Sequence, residues 1–372
     1  MESMGVSSRG AFVRGAAALA SAPFVLGAAN MPGAAQGSAG YAALIDAAQG
    51  EGSVVVDGPP LDLVRQALTH DFEATFGIPV SYISSGETAS LGRVRAERTA
   101  GKFLLDVFVS GIDTPTTGFL PSGFLDRVEP ILIAPDVVNV KDWKDRHLWY
   151  EDPQHTILRT IQYVTDELAV NTKMVNPSEV TWKSLIDPKW QGKLLVKDPS
   201  IAGAGASLIS FFYLNFGPEY VQKLYKDQKP VLSRDARQMA QWLAQGNYPI
   251  VVGPDYSLIK QFKDVGYPVE AVFPSDGPLV LSGGFGLICL INKAPHPNAA
   301  KLFINWLAGR EGSADLARAQ VALSLRTDLD QDWAPSFEFL KPGAKFLDSY
   351  DYTFTTKQRD QAYEKVRELL GL

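Results

Sequence analysis

Apolar positions along the chain alternate between short unbroken runs and a one-face helical period. Ser53 to Val56 read as a buried strand that Asp57-Gly58-Pro59-Pro60 ends. Leu61, Val64, Leu68, Phe72 and Phe76 then fall on one helical face, until Gly77-Ile78-Pro79 stops the helix. A second strand, Val80 to Ile83, gives way to Ser84-Ser85-Gly86-Glu87 and a helix to about Ala100. The strand Leu104 to Val109 and the loop Ser110-Gly111 follow. Strands alternating with helices predict an α/β unit with a mainly parallel sheet. Ligands in such open sheets lie beyond the carboxyl ends of the strands. That rule aims Asp57 to Pro59, Ser84 to Glu87 and Ser110-Gly111 at one cleft, although each taken singly also reads as a solvated turn.

Residues 110–155 show no assignable period, and the strand Gln162 to Val170 after them ends at Asn171-Thr172. A second alternating unit occupies residues 165–275. The strand Leu194 to Val196 passes through Gly203 and Gly205 into the helix 203–216. The order strand, glycine loop, helix start sets unpaired backbone N–H groups at the mouth of a sheet, where they hold an anion. Those of Ala204, Gly205 and Ser207 are the candidates, the alternative being that Gly203 and Gly205 only shape a tight turn. A helix 218–228, a strand near Val231, a helix N-capped by Ser233, and the strand Pro249 to Val252 follow. Gly253-Pro254-Asp255-Tyr256 heads another helix, and Val269 to Phe273 is a further strand. Leu279 to Asn292 is an apolar strand broken at Gly283-Gly284, where the backbone can bend or lie against a ligand, which adds Gly284 and Phe285 to the candidates. The helix 297–309 carries Ala299, Leu302, Phe303, Trp306 and Leu307 on one face. With no Ser/Gly-rich linker, the expected division is residues 36–164 plus 277–335 for one lobe and 165–276 for the other. Residues 336–372, with a helix from Thr356 to Leu370, are not assigned to a lobe.

The chain has 372 residues, 46% hydrophobic and 20% charged, too many for one ordinary core and in keeping with two. A net charge of -6 without a basic run argues against a nucleic-acid partner. The one cysteine, Cys289, lies in an apolar run and reads as a buried strand thiol. Arg9 and Arg14 precede the alanine-rich run Ala16 to Ala29 and a small-residue stretch, the pattern of an export signal cleaved near Ala35. The segment Ser8 to Arg14 resembles a twin-arginine signal, with Gly10 in place of the second arginine. The mature protein is then expected free in the periplasm or its equivalent.

Enzyme signatures are missing. No G-x-S-x-G surrounds a serine, neither a phosphate-binding G-x-x-x-x-G-K-[ST] nor H-E-x-x-H occurs, and His70, His147, His155 and His296 lack metal-ligand spacing. Gly203-Ala204-Gly205-Ala206-Ser207 begins like a dinucleotide fingerprint but lacks the third glycine. Paired carboxylates have no such signature, so an exported hydrolase or lyase using an acidic pair stays as a lesser alternative. Export, two lobes and no nucleophile or metal set favour binding over chemistry, with no catalytic residue, cofactor or resident metal expected.

Two blocks carry a family resemblance. Trp182-x-Ser184-Leu185-x-Asp187-Pro188-Lys189-Trp190-x-Gly192-Lys193 resembles a conserved block of the family 1 extracellular solute-binding proteins of ABC importers, in particular the ferric-iron-binding type. Ala294 to Leu307, with Arg310-Glu311-Gly312-Ser313, is similar to the late helix block of the same family. The resemblance implies a two-lobed periplasmic-binding-protein fold of type II, joined by crossing hinge strands, with ligand held between the lobes and an ABC permease as partner. In relatives the loops matching Ser84 to Glu87, Ala202 to Ser207, Asp255-Tyr256 and Gly283 to Phe285 face the ligand. A monomeric receptor for a small organic anion is the first expectation, with Arg159 or Arg234 as a cationic partner. A ferric-iron receptor using Tyr256, with Asp255 as a second oxygen donor, is the alternative.

Overall fold

The computed structural model describes residues 34–372 apart from 145–147, 150–153, 166–167, 201–203 and 340–344. The expected export signal, but for its last two positions, and Gly203 lie outside the described residues. Helix α1 (Ala34–Glu51) leads into β1 (Val54–Gly58), α2 (Asp62–Phe76), β2 (Val80–Ser84), α3 (Glu87–Thr99) and β3 (Val107–Ser110). Val64, Leu68 and Phe72, four residues apart, are the buried face of α2. Gly77 ends that helix in the left-handed region at φ 68°, donating its N–H to Glu73 O at 2.9 Å. After β3 come β4 (Leu125–Asp126), β5 (Leu148–Trp149), β6 (Ile157–Arg159), β7 (Ile161–Thr165), β8 (Leu168–Asn171) and β9 (Leu194–Lys197). The chain continues through α4 (Ala204–Phe216), α5 (Pro218–Gln222), β10 (Val231–Ser233), α6 (Ala236–Ala244), β11 (Ile250–Val252), α7 (Tyr256–Asp264) and β12 (Val269–Val272). It ends with β13 (Leu279–Ser282), β14 (Leu287–Ile291), α8 (Pro297–Ala308), α9 (Arg310–Ala319), β15 (Leu323–Ser324), β16 (Phe346–Asp348) and α10 (Arg359–Leu370).

Three sheets organise these elements. The first has the order β2-β1-β3-β14-β6-β5, with β4 also on β14; the second β10-β9-β11-β8-β12; the third β15-β7-β13-β16. Parallel pairing, expected for most of each large sheet, holds for β2-β1-β3 and for β10-β9-β11. Strand β14 runs antiparallel to both β3 and β6, and β8 antiparallel to both β11 and β12. Both sheets are therefore mixed. The cause is connectivity: β7 and β13 carry the chain between the lobes, pairing antiparallel with Leu281 opposite Val164, and each lobe gains a strand running the other way.

Each large sheet is sandwiched between two apolar layers. The first packs against α1, α2, α8 and α9 on one face, where Phe72 meets Phe303 at 5.0 Å and Trp306 at 5.4 Å between ring centres. Its other face is covered by Val94 of α3 and by Phe119, and Cys289 is buried there as expected. The second sheet packs Phe211 and Phe212 of α4 and Trp182 on one face, and Met239 and Leu243 of α6 with Ile259 of α7 on the other. The C-terminal helix joins this lobe, since Val366 of α10 lies in the cluster that holds Phe211.

Some boundaries differ from expectation. The run Gln162 to Val170 is two strands in different sheets, because one apolar stretch serves first the crossing and then the second lobe. Ser233 ends β10, and the cap of α6 is Asp235, whose carboxylate accepts the Gln238 N–H at 2.9 Å. A carboxylate two residues nearer the helix reaches its first-turn N–H groups, whereas Ser233 is held in the strand. Helix α9 escapes the period reading because its buried face is built partly from Gly312, Ser313 and Ala317.

Phe212 stands 5.5 Å from the Trp182 ring and 5.6 Å from that of Tyr220, with none of its surface exposed. Phe212→Ala is expected to destabilise the protein by about 3 to 5 kcal/mol, through lost transfer energy and a residual cavity. Urea unfolding followed by tryptophan fluorescence measures it.

Candidate functional site

Strand register decides which loops share an edge. Gly58 sits beside Ser84, Ser110 beside Leu287, and Leu287 beside Arg159. The ends of β1, β2, β3 and β6 and the start of β14 therefore form one edge of the first sheet. In the second sheet Val252 lies beside Val196 and Ser233 beside Lys197, so β9, β10 and β11 end together. Five of these strands, β1, β2, β9, β10 and β11, feed directly into the helices α2, α3, α4, α6 and α7. The first-turn N–H groups of α3 and α4, unpaired within the helix, are presented at the two edges, whereas Ser257 and Leu258 of α7 donate theirs to Asp255.

Ala204, Gly205 and Ser207 form the first turn of α4, with Ala204 exposed, Gly205 buried and Ser207 half-buried. Gly86 caps α3 with extended backbone and no side chain, and the backbone of Glu87 opens that helix. Asp255 caps α7: Oδ1 accepts the Ser257 N–H at 3.0 Å and the Ser257 hydroxyl at 2.6 Å. Tyr256 packs edge-on against Phe337 at 5.0 Å, so the segment after β15 covers part of its ring.

Other candidates are engaged within the protein. The Asp57 side chain is wholly buried; it accepts from Ser85 Oγ at 2.9 Å and from Arg93 Nη2 at 2.5 Å. Burial pushes its carboxyl up, against those bonds and the Arg93 charge. Pro59 O accepts the Tyr82 hydroxyl at 2.8 Å, and a Cβ on Gly58 would fall within 2.3 Å of that same hydroxyl. Ser110 Oγ donates to Gly111 O at 3.0 Å. The turn Gly283 to Gly286 is also tied down. Gly284 N donates to Ser282 Oγ at 3.1 Å, Phe285 N to Gln320 Oε1 at 2.9 Å, and Gly286 N to Gly283 O at 2.9 Å. Gly284 takes φ +49°, and a Cβ there would lie 2.7 Å from Gln320 Oε1. Of the two arginines named from the sequence, Arg159 is buried at the edge of the first sheet. Arg234 is 70% exposed, with Nε 3.8 Å from Asp198.

Sequence reasoning did not single out Arg93, Tyr350, Gln320 or Glu338. The first three reach these loops, and Glu338 reaches β7, from far along the chain, and no local pattern signals such a contact. It also missed a serine, histidine and aspartate in contact: Ser53 Oγ is 3.3 Å from His296 Nε2, and His296 Nδ1 is 2.8 Å from Asp106 Oδ2. That group stands at the amino-terminal end of β1, away from the edge described above. The adjacent first N–H groups of α8, on Asn298 and Ala299, donate to Glu51 at 2.9 and 2.8 Å. Those donors are taken and do not serve an oxyanion, so the contacts fasten α8 to the sheet. Among the described residues no three His, Cys, Asp or Glu side chains gather as a metal site, and no helix is long and apolar enough to cross a membrane.

Comparison with known proteins decides the class. Residues 104–349 match the model of a family described as bacterial extracellular solute-binding protein. The chain belongs to this family. An uncharacterised protein of Haemophilus influenzae is 24% identical over 331 residues, 87% of this chain and 92% of its own length. The solute-binding fold recurs in the periplasmic binding protein AfuA from Actinobacillus pleuropneumoniae, solved with exogenous fructose-6-phosphate bound. It superimposes with TM-score 0.66 at 18% identity, over 86% of this chain and 99% of that one. Iron-bound HitA from Pseudomonas aeruginosa superimposes with TM-score 0.62 at 14% identity, over the same shares. These likenesses give the solute-binding chain the two-lobed fold of type II periplasmic binding proteins.

One buried acid makes the crossing sensitive to pH. Glu338 is 2% exposed and accepts the Val164 N–H of β7 at 2.6 Å. Burial pushes its carboxyl up to about 8, outweighing the opposite pull of that bond. The folded protein then keeps a proton that the unfolded chain releases near 4.5, so this group's stabilisation falls as pH rises from about 4.5 to about 8. Glu338→Gln is expected to flatten the dependence of the thermal midpoint on pH across that window, measured by circular dichroism melts of both proteins.

Proposed function

We propose that this solute-binding protein is a monomeric receptor of the periplasm or its equivalent for a small organic anion, a carboxylate, phosphonate or sugar phosphate. The lobes close on the anion about the crossing strands, and the protein delivers it to an ABC permease. The observation that carries this reading is that helices start at the carboxyl ends of strands in both lobes, α3 in one and α4 in the other among them. In this reading the N–H groups of Ala204, Gly205 and Ser207 receive the anion. Ser85, Gly86 and the backbone of Glu87 donate from the other lobe, and Asp255 and Tyr256 order the ligand from α7. Asp57, Pro59, Ser110, Gly284 and Phe285 shape the edge.

A helix end contributes about 0.3 to 2 kcal/mol to anion binding. Micromolar affinity needs about 8 kcal/mol. Donors from both lobes are therefore required together, which couples affinity to closure. The fructose-6-phosphate bound to AfuA supports an anionic ligand. Iron-bound HitA supports the ferric alternative through Tyr256 and Asp255, but one oxygen of Asp255 is already committed to capping α7. Fe(III) is also best held by several anionic oxygens.

A thermal-shift screen of the mature chain against organic acids, phosphonates, sugar phosphates and Fe(III) tests the reading. Ligand at about 100 times its dissociation constant adds about 2.7 kcal/mol of stability. Gly205→Glu is expected to abolish the shift by placing a carboxylate in the anion site, the shift being read against the variant's own unliganded midpoint. Unchanged binding in that variant removes the site assignment. A visible charge-transfer band on adding Fe(III), with no response to anions, replaces the anion reading with the ferric one.

A further inference from the structure

Arg159 closes β6 at the ligand edge, and only 3% of its side chain is exposed. Nη1 donates to Asp348 Oδ2 at 2.7 Å and Nε to Ile161 O at 3.2 Å, while the Tyr350 ring lies 5.2 Å from the guanidinium carbon. The Tyr350 hydroxyl donates to Gly284 O at 2.5 Å. Two residues of the C-terminal segment thus clamp the guanidinium against the Gly283 to Gly286 turn, where a Cβ on Gly283 would come within 3.0 Å of Arg159 Nε. Nη2 is buried and has no hydrogen-bond partner. A second bare donor stands at the same turn: Gln320 uses Oε1 on Phe285 N, and its buried Nε2 has no partner. Buried donors are almost always satisfied, and a bare guanidinium N–H is among the costlier exceptions. Two such donors at one turn of the ligand edge mark the place of a missing acceptor.

We infer that Arg159 reads the ligand's charge. Its Nη2 donates to an anionic oxygen of a carboxylate or phosphate, Gln320 Nε2 donates beside it, and Asp348 and Tyr350 are positioning residues. The inference rests on the receptor reading above and adds to it the residue that distinguishes an anion from its neutral analogue. Asp348 already occupies one side of the guanidinium fork, so the ligand meets a single donor there and not a bidentate clamp. The helix starts remain the shared cradle, and Arg159 supplies the full charge. Arg234, solvated and without a fixed partner geometry, does not supply it.

The test titrates the mature wild-type chain, Arg159→Gln, Arg159→Lys and Tyr350→Phe with citrate, phosphonoacetate, fructose 6-phosphate and Fe(III), with fructose as the neutral control, by calorimetry. Wild type is expected to bind at least one of the three anions. Arg159→Gln is expected to weaken that binding by about 10- to 100-fold, with Arg159→Lys recovering part of it. Tyr350→Phe, which keeps the ring and so the fold, is expected to weaken it by a few-fold. Any response to fructose should be the same in wild type and Arg159→Gln. Wild-type binding that Arg159→Gln leaves within about threefold overturns the role of Arg159 and leaves the receptor reading standing. If Arg159→Gln does not fold, unchanged affinity in both Arg159→Lys and Tyr350→Phe overturns it equally. A wild type that binds none of the anions, or only Fe(III), overturns both readings together.

Discussion

The antiparallel pairing of β7 with β13 is the constraint from which the rest of the architecture follows. Val280, Leu281 and Ser282 lie opposite Thr165, Val164 and Tyr163, so the chain's outward and return passages are bonded to each other. A chain that leaves one sheet, builds a second and comes back must insert a reversed strand in each. Those strands are β8 and β14. Because β14 enters where β1 and β3 leave, the turn before it falls at the ligand edge. The same pairing makes a hinge of two bonded strands, which confines relative motion of the lobes to bending and twisting about one ribbon.

Polar groups at the ligand edge divide into those that build it and those left to act. Asp57 is consumed by Ser85 and Arg93, Asp255 by the start of α7, and the Gly283 to Gly286 turn by Ser282, Gln320 and Tyr350. Such spending is what buried polar groups require, since each unpaired one costs about 1 to 3 kcal/mol. Among the described residues the donors left over include helix N–H groups, Arg93 Nε, Arg159 Nη2 and Gln320 Nε2. An edge whose buried carboxylate, Asp57, is paired with Arg93 and whose donors are left over has the polarity to receive an anion. The helix ends alone are too weak to choose between ligands, so selectivity must come from the side chains around them.

Most of the fold was legible in the sequence because its signal is local. Apolar runs and one-face periods located β1, α2, β2, α3, β9, α4 and α8 within a few residues, and Gly77 and Gly253 marked the turns. The readings went astray where one run served two purposes. Gln162 to Val170 is continuous in hydrophobicity, yet its halves join different sheets, a distinction that only long-range pairing makes. At the candidate site the loops were legible from the rule for open sheets. Their partners were not: Asp348 meets Arg159 across 189 positions, and Arg93 meets Asp57 across 36. Nothing in the composition of residues 336–350 announces that they reach the edge of the first sheet.

That C-terminal segment is more than a closing helix, since it touches every part of the molecule that hinge motion would move. Glu338 accepts from β7, β16 pairs in parallel with β13, Asp348 and Tyr350 hold Arg159, and α10 packs in the core of the second lobe. Arg359 adds a last tie. Its carbonyl accepts Ser210 Oγ of α4 at 3.1 Å, while its guanidinium, 6% exposed, meets Asp113 just after β3 at 2.6 Å. Separating Asp113 from Arg359 would leave the buried guanidinium with the exposed Asp360, 3.2 Å away, as its one carboxylate partner among the described residues, at a cost in stability. Motion between the lobes is therefore cheapest where that pair stays together, with the segment acting as a third connection beside β7 and β13. The groups that hold Arg159 then belong to the same connection that joins the lobes, which, on the reading proposed above, ties the residue that meets the anion to the elements that move when it binds.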